Sequence, residues 1–458
     1  MLEKAAIYLD PYFKKKIANK IEMRNFFSKK IIKRYLKPYI FLKIKKRIKY
    51  VYDNSQFYNK LFKESNLKPS DIKTYQDISK IPFTTSLDIL DSERFFCVPK
   101  NKFVKSFKSS GTTGKPKITY LTENDVKEQI QRNKIGLKLI YGINQNDTVR
   151  ILNPPRYSIF FCTYHALKDI GAKINYLKER LSPEKEYKIL KQKNVSAIIG
   201  DPFFFYSISS EMSLKYDLAD LNVRTVLLGS EPLPESIRKR LEEIWDADVF
   251  NVYGINEVGI SIAGECEEKN GMHITGTDFY VEVINPKSDK KLEDGTKGEL
   301  VFTTINKEGM PLIRYRTKDF GYIVPGECKC GFPFERIKIQ SRMDDMILIG
   351  FAECLYPAEI SEAIFSVPSI LDYQIILNRD KSMDSLKIIV ESTQIDNKKQ
   401  VSDLIKNALM RVGQIKTAVQ DSKNVEIKEI KVVKPKSIYN IGHKKTRIID
   451  NRKIYDCD

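Results

Sequence analysis

The chain has 458 residues, 42% hydrophobic and 30% charged, a globular composition long enough for two or more domains. Its net charge of +19 would suggest a nucleic-acid partner, but sixteen Lys/Arg against three Asp/Glu in residues 1–50 leave only about +6 for the other 408, where the basic–aromatic alternation of an RNA-binding sheet is missing. No apolar run approaches the roughly 20 residues of a membrane span, the N-terminus lacks a signal core, and seven scattered cysteines fit a reducing cytosol better than a disulfide framework.

Residues 1–80 read as a basic helical segment. The stretch from Leu36 to Tyr52 mixes lysines with aliphatic and aromatic residues. It suits a cationic helix whose lysine stems cover the main domain, with peripheral attachment to an anionic membrane as the alternative.

Next comes Ser109-Ser110-Gly111-Thr112-Thr113-Gly114-Lys115-Pro116-Lys117, ahead of a helix start at Thr122-Glu123-Asn124-Asp125. Glycines for tight turns, free backbone N–H groups, hydroxyls and lysines are the chemistry of a polyphosphate cradle. It is not the kinase and GTPase loop, since Gly111 and Gly114 are too close and Pro116 follows the lysine.

From 122 to 330 helix and strand alternate. A helix over 186–192 precedes a near-apolar strand over 195–200, and a second strand covers 223–228. A helix then runs from Pro234 to Trp245 with Ile237, Leu241, Ile244 and Trp245 on one face. That order predicts a parallel α/β sheet with ligands beyond the strands' carboxyl ends, where Gly229 and Tyr253 fall. Past Gly298 shorter strands with hairpin-like turns are expected. Past Arg342 a small α+β unit is predicted: strand 386–390, helix 402–410 and strand 425–433.

Five further motifs follow in order. They are Gly229-Ser230-Glu231-Pro232, Asn251-Val252-Tyr253-Gly254-Ile255-Asn256-Glu257, Arg314 to Asp319, Arg342-Met343-Asp344, and Ser437 to Arg447 containing Lys444. Cys266 and His273 flank an Asn270-Gly271 turn, and Cys328-Lys329-Cys330 follows. Three thiolates and an imidazole make a tetrahedral zinc set that leaves no open position, so its role would be structural.

Together, in this order and spacing, the motifs resemble the phenylacetate–CoA ligase branch of the AMP-forming acyl-CoA synthetases over nearly the whole chain. The resemblance implies an α/β fold: a basic segment over 1–80, an adenylation core of parallel-type sheets plus a β-rich subdomain over 81–341, and a mobile α+β lid over 342–458. It implies a cytoplasmic enzyme that condenses a carboxylic acid with ATP to an acyl-adenylate and pyrophosphate, after which CoA displaces AMP. By the same resemblance Ser109, Ser110, Gly111, Thr112, Thr113, Gly114 and Lys115 hold the phosphates. Gly229, Ser230, Glu231, Pro232, Asn251, Tyr253 and Gly254 surround the adenine, and Glu257 binds Mg²⁺. Asp319 takes both ribose hydroxyls, Arg342 supports the ribose–phosphate end, and Asp344 is the hinge. Lys444, three positions before Arg447, neutralises charge at the reacting phosphate.

The segment 348–357, which lines the thiol tunnel in relatives, departs from their pattern. An acceptor other than CoA, or adenylation of a coenzyme, is therefore the alternative reading. A non-catalytic binding protein on the same fold is disfavoured by the intact Glu257, Asp319, Arg342 and Lys444. Aromatic-rich stretches over 153–161 and 201–206 are candidate walls for an aryl or hydrophobic acid, or plain core. A homodimer is left open.

Overall fold

The computed structural model describes residues 30–108, 116–350, 353–380, 383–438 and 447–452. Helix α1 (Lys30–Asn54) and α2 (Gln56–Glu64) come first. Leu36, Tyr39, Ile44, Ile48 and Val51 of α1 are buried while Lys37, Lys45, Lys46 and Lys49 face solvent. The apolar residues of this part of α1 are thus buried in the core, with those lysines between them exposed. No helix among the described residues is long and apolar enough to cross a membrane.

Helix stops at Glu64, short of the expected limit. Residues 69–80 instead form short 3₁₀ turns. Local polar chemistry explains the break: Asp71 accepts from the Lys68 N–H and Asp77 from the N–H groups of Lys73 and Thr74.

A hairpin of β1 (Phe103–Lys108) and β2 (Ile118–Thr122) leads into α3 (Glu123–Ile135), where Thr122 and Asp125 form a capping box. The alternating segment follows: β3 (Thr148–Ile151), α4 (Ser158–Ile170), β4 (Lys173–Tyr176), α5 (Pro183–Gln192), β5 (Ala197–Gly200) and α6 (Pro202–Ser213). Then come β6 (Thr225–Gly229), α7 (Glu235–Trp245) and β7 (Asp248–Ile255). Strands β4, β3, β5, β6 and β7 are parallel neighbours. Ile198, Val226 and Leu228 are near-fully buried, as strands covered by helices on both faces must be.

The same sheet continues antiparallel through β8 (Gly259–Glu265), β9 (Met272–Ile274), β10 (Phe279–Ile284), β11 (Gly298–Thr304), β12 (Tyr315–Val324) and β13 (Arg336–Arg342). Its order is β10-β11-β12-β13-β9-β8-β7-β6-β5-β3-β4, eleven strands in all. Strands past Gly298 are longer than expected. β11 and β12 run seven and ten residues, against four for β3 and β5, because hairpin partners extend one another without a crossover. Only two residue pairs, Arg336↔His273 and Ile337↔Met272, join β13 to β9. That is the shortest register in the sheet, with the Ile274 N–H donating to the Glu335 carbonyl beside it at 2.9 Å.

After a 3₁₀ turn at Met343–Asp345 come β14 (Ile347–Ile349) and β15 (Glu353–Leu355), paired as a small hairpin. A separate four-stranded sheet follows, with β16 (Ile370–Asp380), β17 (Met383–Ser392), β18 (Val425–Val433) and β19 (Ile448–Asp450) in the order β18-β17-β16-β19. Helices α8 (Pro357–Phe365) and α9 (Lys398–Leu409) cover it.

This small unit docks on α6 and α7. Tyr206 donates to the Ile370 carbonyl at 3.0 Å, Phe203 lies 5.6 Å from Phe365, and the Arg447 guanidinium sits 3.6 Å above Phe203. Glu362 of α8 accepts from the N–H groups of Glu235 and Ser236, at 2.7 and 3.0 Å, and so caps α7 from the other lobe.

Candidate active site

The loop Ser109, Ser110, Gly111, Thr112, Thr113, Gly114, Lys115 lies outside the described residues, as does Lys444. The residues on either side of the loop are described: Lys108 pairs with Ile118 in the β1–β2 hairpin. Lys117, next to Ile118, forms an ion pair with Glu257. The Glu257 carboxylate is 5% exposed, so a cationic partner is what keeps its charge tolerable. Lys117 also approaches the Tyr315 hydroxyl at 3.4 Å.

From Tyr315 the site runs along one strand. Alternation on β12 buries Tyr315, Thr317 and Asp319 on one face and leaves Lys318 exposed. The Tyr253 hydroxyl, reaching across from β7, donates to Asp319 at 2.5 Å. Asp319 pairs in register with Arg342 on β13, whose guanidinium lies 3.8 Å from its carboxylate. Burial pushes the Asp319 carboxyl above its ordinary range, against the opposing pull of Arg342 and the Tyr253 hydrogen bond. Burial, then the neighbouring Asp319 charge, pushes the Tyr253 phenol well up, so it stays a donor. Arg342 also faces Asp344 at 3.7 Å, and Lys318 reaches Asp344 at 2.8 Å. The turn leaving the large sheet is therefore held by charge from both flanking strands.

Gly229, Ser230, Glu231 and Pro232 lie at the carboxyl end of β6, next to β7 in register: Leu228↔Asn251 and Gly229↔Val252. A Cβ on Gly229 would sit 2.5 Å from the Val252 carbonyl oxygen, and Ser230 takes φ +72°, so the chain turns away at that spot. The Asn251 N–H is fixed by Glu265 at 2.7 Å. Gly254 lies within β7, where the register with β8 shifts between Tyr253 and Ile255. Tyr253, Asp319, Arg342 and Asp344 are thus brought into contact, Glu257 pairs with Lys117, which approaches Tyr315 on the same strand as Asp319, and Gly229–Pro232 and Asn251 lie at the carboxyl ends of β6 and β7.

The aromatic runs divide. Phe203, Phe205 and Tyr206 are buried against Phe365 and Trp245, so they are core and lobe interface rather than pocket wall. The 153–161 run lies by the phosphate hairpin instead: Phe161 is 5.8 Å from Phe107, and Ser158 hydrogen-bonds Asn256, beside Glu257. The divergent 348–357 segment forms the β14–β15 hairpin, and Gly350 donates to Asp384 at 2.9 Å.

The ligand atoms of Cys266, His273, Cys328 and Cys330 all lie within 4.8 Å of one another, a cluster that could hold a metal ion. Cys266 and Cys328 sulfurs are 3.7 Å apart, and Cys330 Sγ is 3.2 Å from His273 Nε2. A disulfide needs ~2.05 Å, whereas zinc–sulfur bonds of ~2.3 Å at a tetrahedral angle place sulfurs about 3.8 Å apart. The donor set therefore fits zinc. His273 Nδ1 lies 3.1 Å from the Phe334 carbonyl, the outer contact that orients a ligating imidazole.

Sequence reading passed over Lys117, which it saw only as the end of a loop, and Tyr315, hidden inside a charged strand. It also passed over Lys307, whose ammonium donates to the Glu257 carbonyl at 2.6 Å. Burial pulls the Lys307 amine down to about 8. Alternation along β12 could have flagged Tyr315; nothing local could have flagged Lys307.

A 2-hydroxyisobutyryl-CoA ligase solved in its postadenylation state superposes with TM-score 0.78 at 20% identity, covering 90% of this chain and 89% of that one. The AMP-binding enzyme family model matches residues 67–306 and the AMP-binding enzyme C-terminal domain matches 352–452. The phenylacetate-coenzyme A ligase of Pseudomonas putida is 30% identical over 354 residues, 75% of this chain and 79% of the relative. That of Thermus thermophilus is 27% identical over 429 residues, 90% and 95% of the two. The chain belongs to the AMP-binding enzyme family. It is an AMP-forming acid–CoA ligase, activating a carboxylic acid with ATP through an acyl-adenylate and passing the acyl group to CoA.

Proposed function

We propose that the acid is aryl or hydrophobic, as phenylacetate is for the relatives named, and that the cluster along β12 is its nucleotide site. The single observation behind this reading is the contact path Glu257–Lys117–Tyr315 together with Tyr253–Asp319–Arg342. It joins the base of the phosphate hairpin to a buried carboxylate suited to two vicinal hydroxyls.

In this reading Ser109, Ser110, Gly111, Thr112, Thr113, Gly114 and Lys115 cradle the β- and γ-phosphates. Tyr253 presents its ring to adenine, with Gly229, Ser230, Glu231, Pro232, Asn251 and Gly254 shaping that edge. Asp319 accepts from the ribose hydroxyls and Arg342 steadies the ribose–phosphate end. Glu257 fits Mg²⁺, being a buried oxygen donor already matched to a cation; bound there, the ion would withdraw charge from the phosphates. Lys444 neutralises charge as the acid's carboxylate attacks the α-phosphorus and pyrophosphate leaves. Asp344, held by Lys318 and Arg342, is the pivot about which residues 342–458 turn before the CoA thiol displaces AMP. The basic 1–80 segment and the 81–341 core complete this division of the chain.

Cys266, His273, Cys328 and Cys330 hold structural zinc in the same reading. The cluster spans the β9–β13 seam, since Cys266 follows β8, His273 belongs to β9, and Cys328 and Cys330 precede β13, so the ion would brace the joint.

Pyrophosphate release with a panel of aryl, branched and straight-chain acids, with and without CoA, tests this proposal. Aryl or hydrophobic acids should dominate and product thioester should require CoA. Preference for short polar acids would refute the substrate class. Adenylate formation indifferent to CoA, with an amine or carrier protein taking the acyl group, would favour the other acceptor.

A further inference from the structure

Lys307 is a buried cation that the nucleotide site leaves without a role. Its residue is 5% exposed, and its ammonium donates to the Glu257 carbonyl at 2.6 Å. The charged groups around it are Asp125, Glu257 and Arg132. Burying an ammonium costs several kcal/mol unless it is well matched, so this lysine sits where a shorter or apolar side chain would be cheaper.

The turn that carries it is rigid. Asp125, at the start of α3, accepts from the N–H groups of Glu308 and Gly309 at 2.6 and 2.9 Å. Arg47 donates to the Ile305 carbonyl at 2.7 Å, and Tyr50 to that of Glu308 at 3.1 Å. A Cβ on Gly309 would stand 2.5 Å from the Phe103 ring, so the turn presses directly on the strand that leads into the phosphate loop. One end of Lys307 is therefore anchored to the phosphate hairpin and α3. The other end holds the backbone of Glu257.

We propose that Lys307 is a positioning residue: it fixes the Glu257 backbone relative to the β1–β2 hairpin, so that the carboxylate is held against Lys117 at the foot of that hairpin. This rests on the reading of Glu257 as the divalent-cation ligand. The lysine does not touch nucleotide or metal. It sets the distance between the two groups that do, and a hydrogen bond from a neutral donor should do most of that work.

The test is a double-mutant cycle read by calorimetry with Mn²⁺ and ATP, alongside Tm. Lys307→Met should weaken metal–nucleotide binding about tenfold and raise the KM for ATP while leaving the KM for the acid unchanged. Lys307→Gln, which keeps an N–H donor, should recover most of the loss. In a Glu257→Gln background Lys307→Met should add little. Equal losses in both backgrounds, or parallel changes in both KM values that follow Tm, would overturn the proposal. Metal–nucleotide affinity unchanged by Glu257→Gln alone would instead remove Glu257 as the ligand, and with it the purpose assigned to Lys307. If Lys307→Met does not fold, Lys307→Ala takes its place in wild-type and Glu257→Gln backgrounds, with equal losses in the two as the refuting result.

Discussion

Asp319→Asn separates binding from stability, because the structure assigns them opposite signs. Asn fills the same volume and still accepts the Tyr253 hydroxyl, now 2.5 Å from the carboxylate. What it loses is one acceptor and the charge on the other. A hydrogen bond to a charged group contributes ~1.5–3 kcal/mol against about 1 for a neutral one. Replacing two charged acceptors for the ribose by one neutral acceptor should cost about 2–3 kcal/mol, roughly 30–150-fold in ATP affinity.

Stability should move the other way. Burial raises the Asp319 pKa in the folded protein, so the folded state binds this proton more tightly than the unfolded one. The contribution favours folding below the unfolded carboxylate's pKa and is lost as pH climbs through the raised folded value. Wherever the folded group is ionised, that charge is a burden that Asn removes. The variant's Tm should equal or exceed the wild type's near pH 7, and the gap should close as pH falls towards 4. Calorimetric titration with ATP and thermal melts at both pH values measure both effects. ATP affinity within about threefold of wild type, at unchanged Tm, would show that Asp319 does not hold the ribose.

Three further outcomes can be measured alongside this one. Prolonged chelation, or Cys330→Ser, should lower Tm by roughly 5–10 °C as the β9–β13 seam loosens, with zinc near one per chain in untreated protein; metal-free protein with an unaltered melt would reject the site. Glu362→Ala removes the cap that α8 places on α7 and should weaken lobe docking by about 1–2 kcal/mol. Proteolysis near Met343–Asp345 should then quicken about tenfold, and an unchanged rate would mean the cap does not govern docking. Lys444→Ala should suppress pyrophosphate release far more than Lys445→Ala, and equal losses would defeat the choice of Lys444.

Sequence alone determined the order of chemistry along this chain. Local signals are enough for that: the capping box at Thr122 and Asp125, the helical face of Ile237, Leu241 and Trp245, and the run of β5 were all legible and all formed. Motif spacing also brought Cys266, His273, Cys328 and Cys330 together on paper before the fold did so, because four soft donors have few other uses in common.

Tertiary structure decided what burial does to each residue. Phe203 and Tyr206 look like pocket walls in sequence, yet the small lobe lands on them. Lys307 looks like a surface lysine in a polar turn, yet it is sealed behind Glu257. The physical reason is range. Helical and strand periodicity, caps and turns act within a few residues, whereas the partner of a buried charge is chosen by a strand or loop fifty residues away, and only the folded sheet states which one.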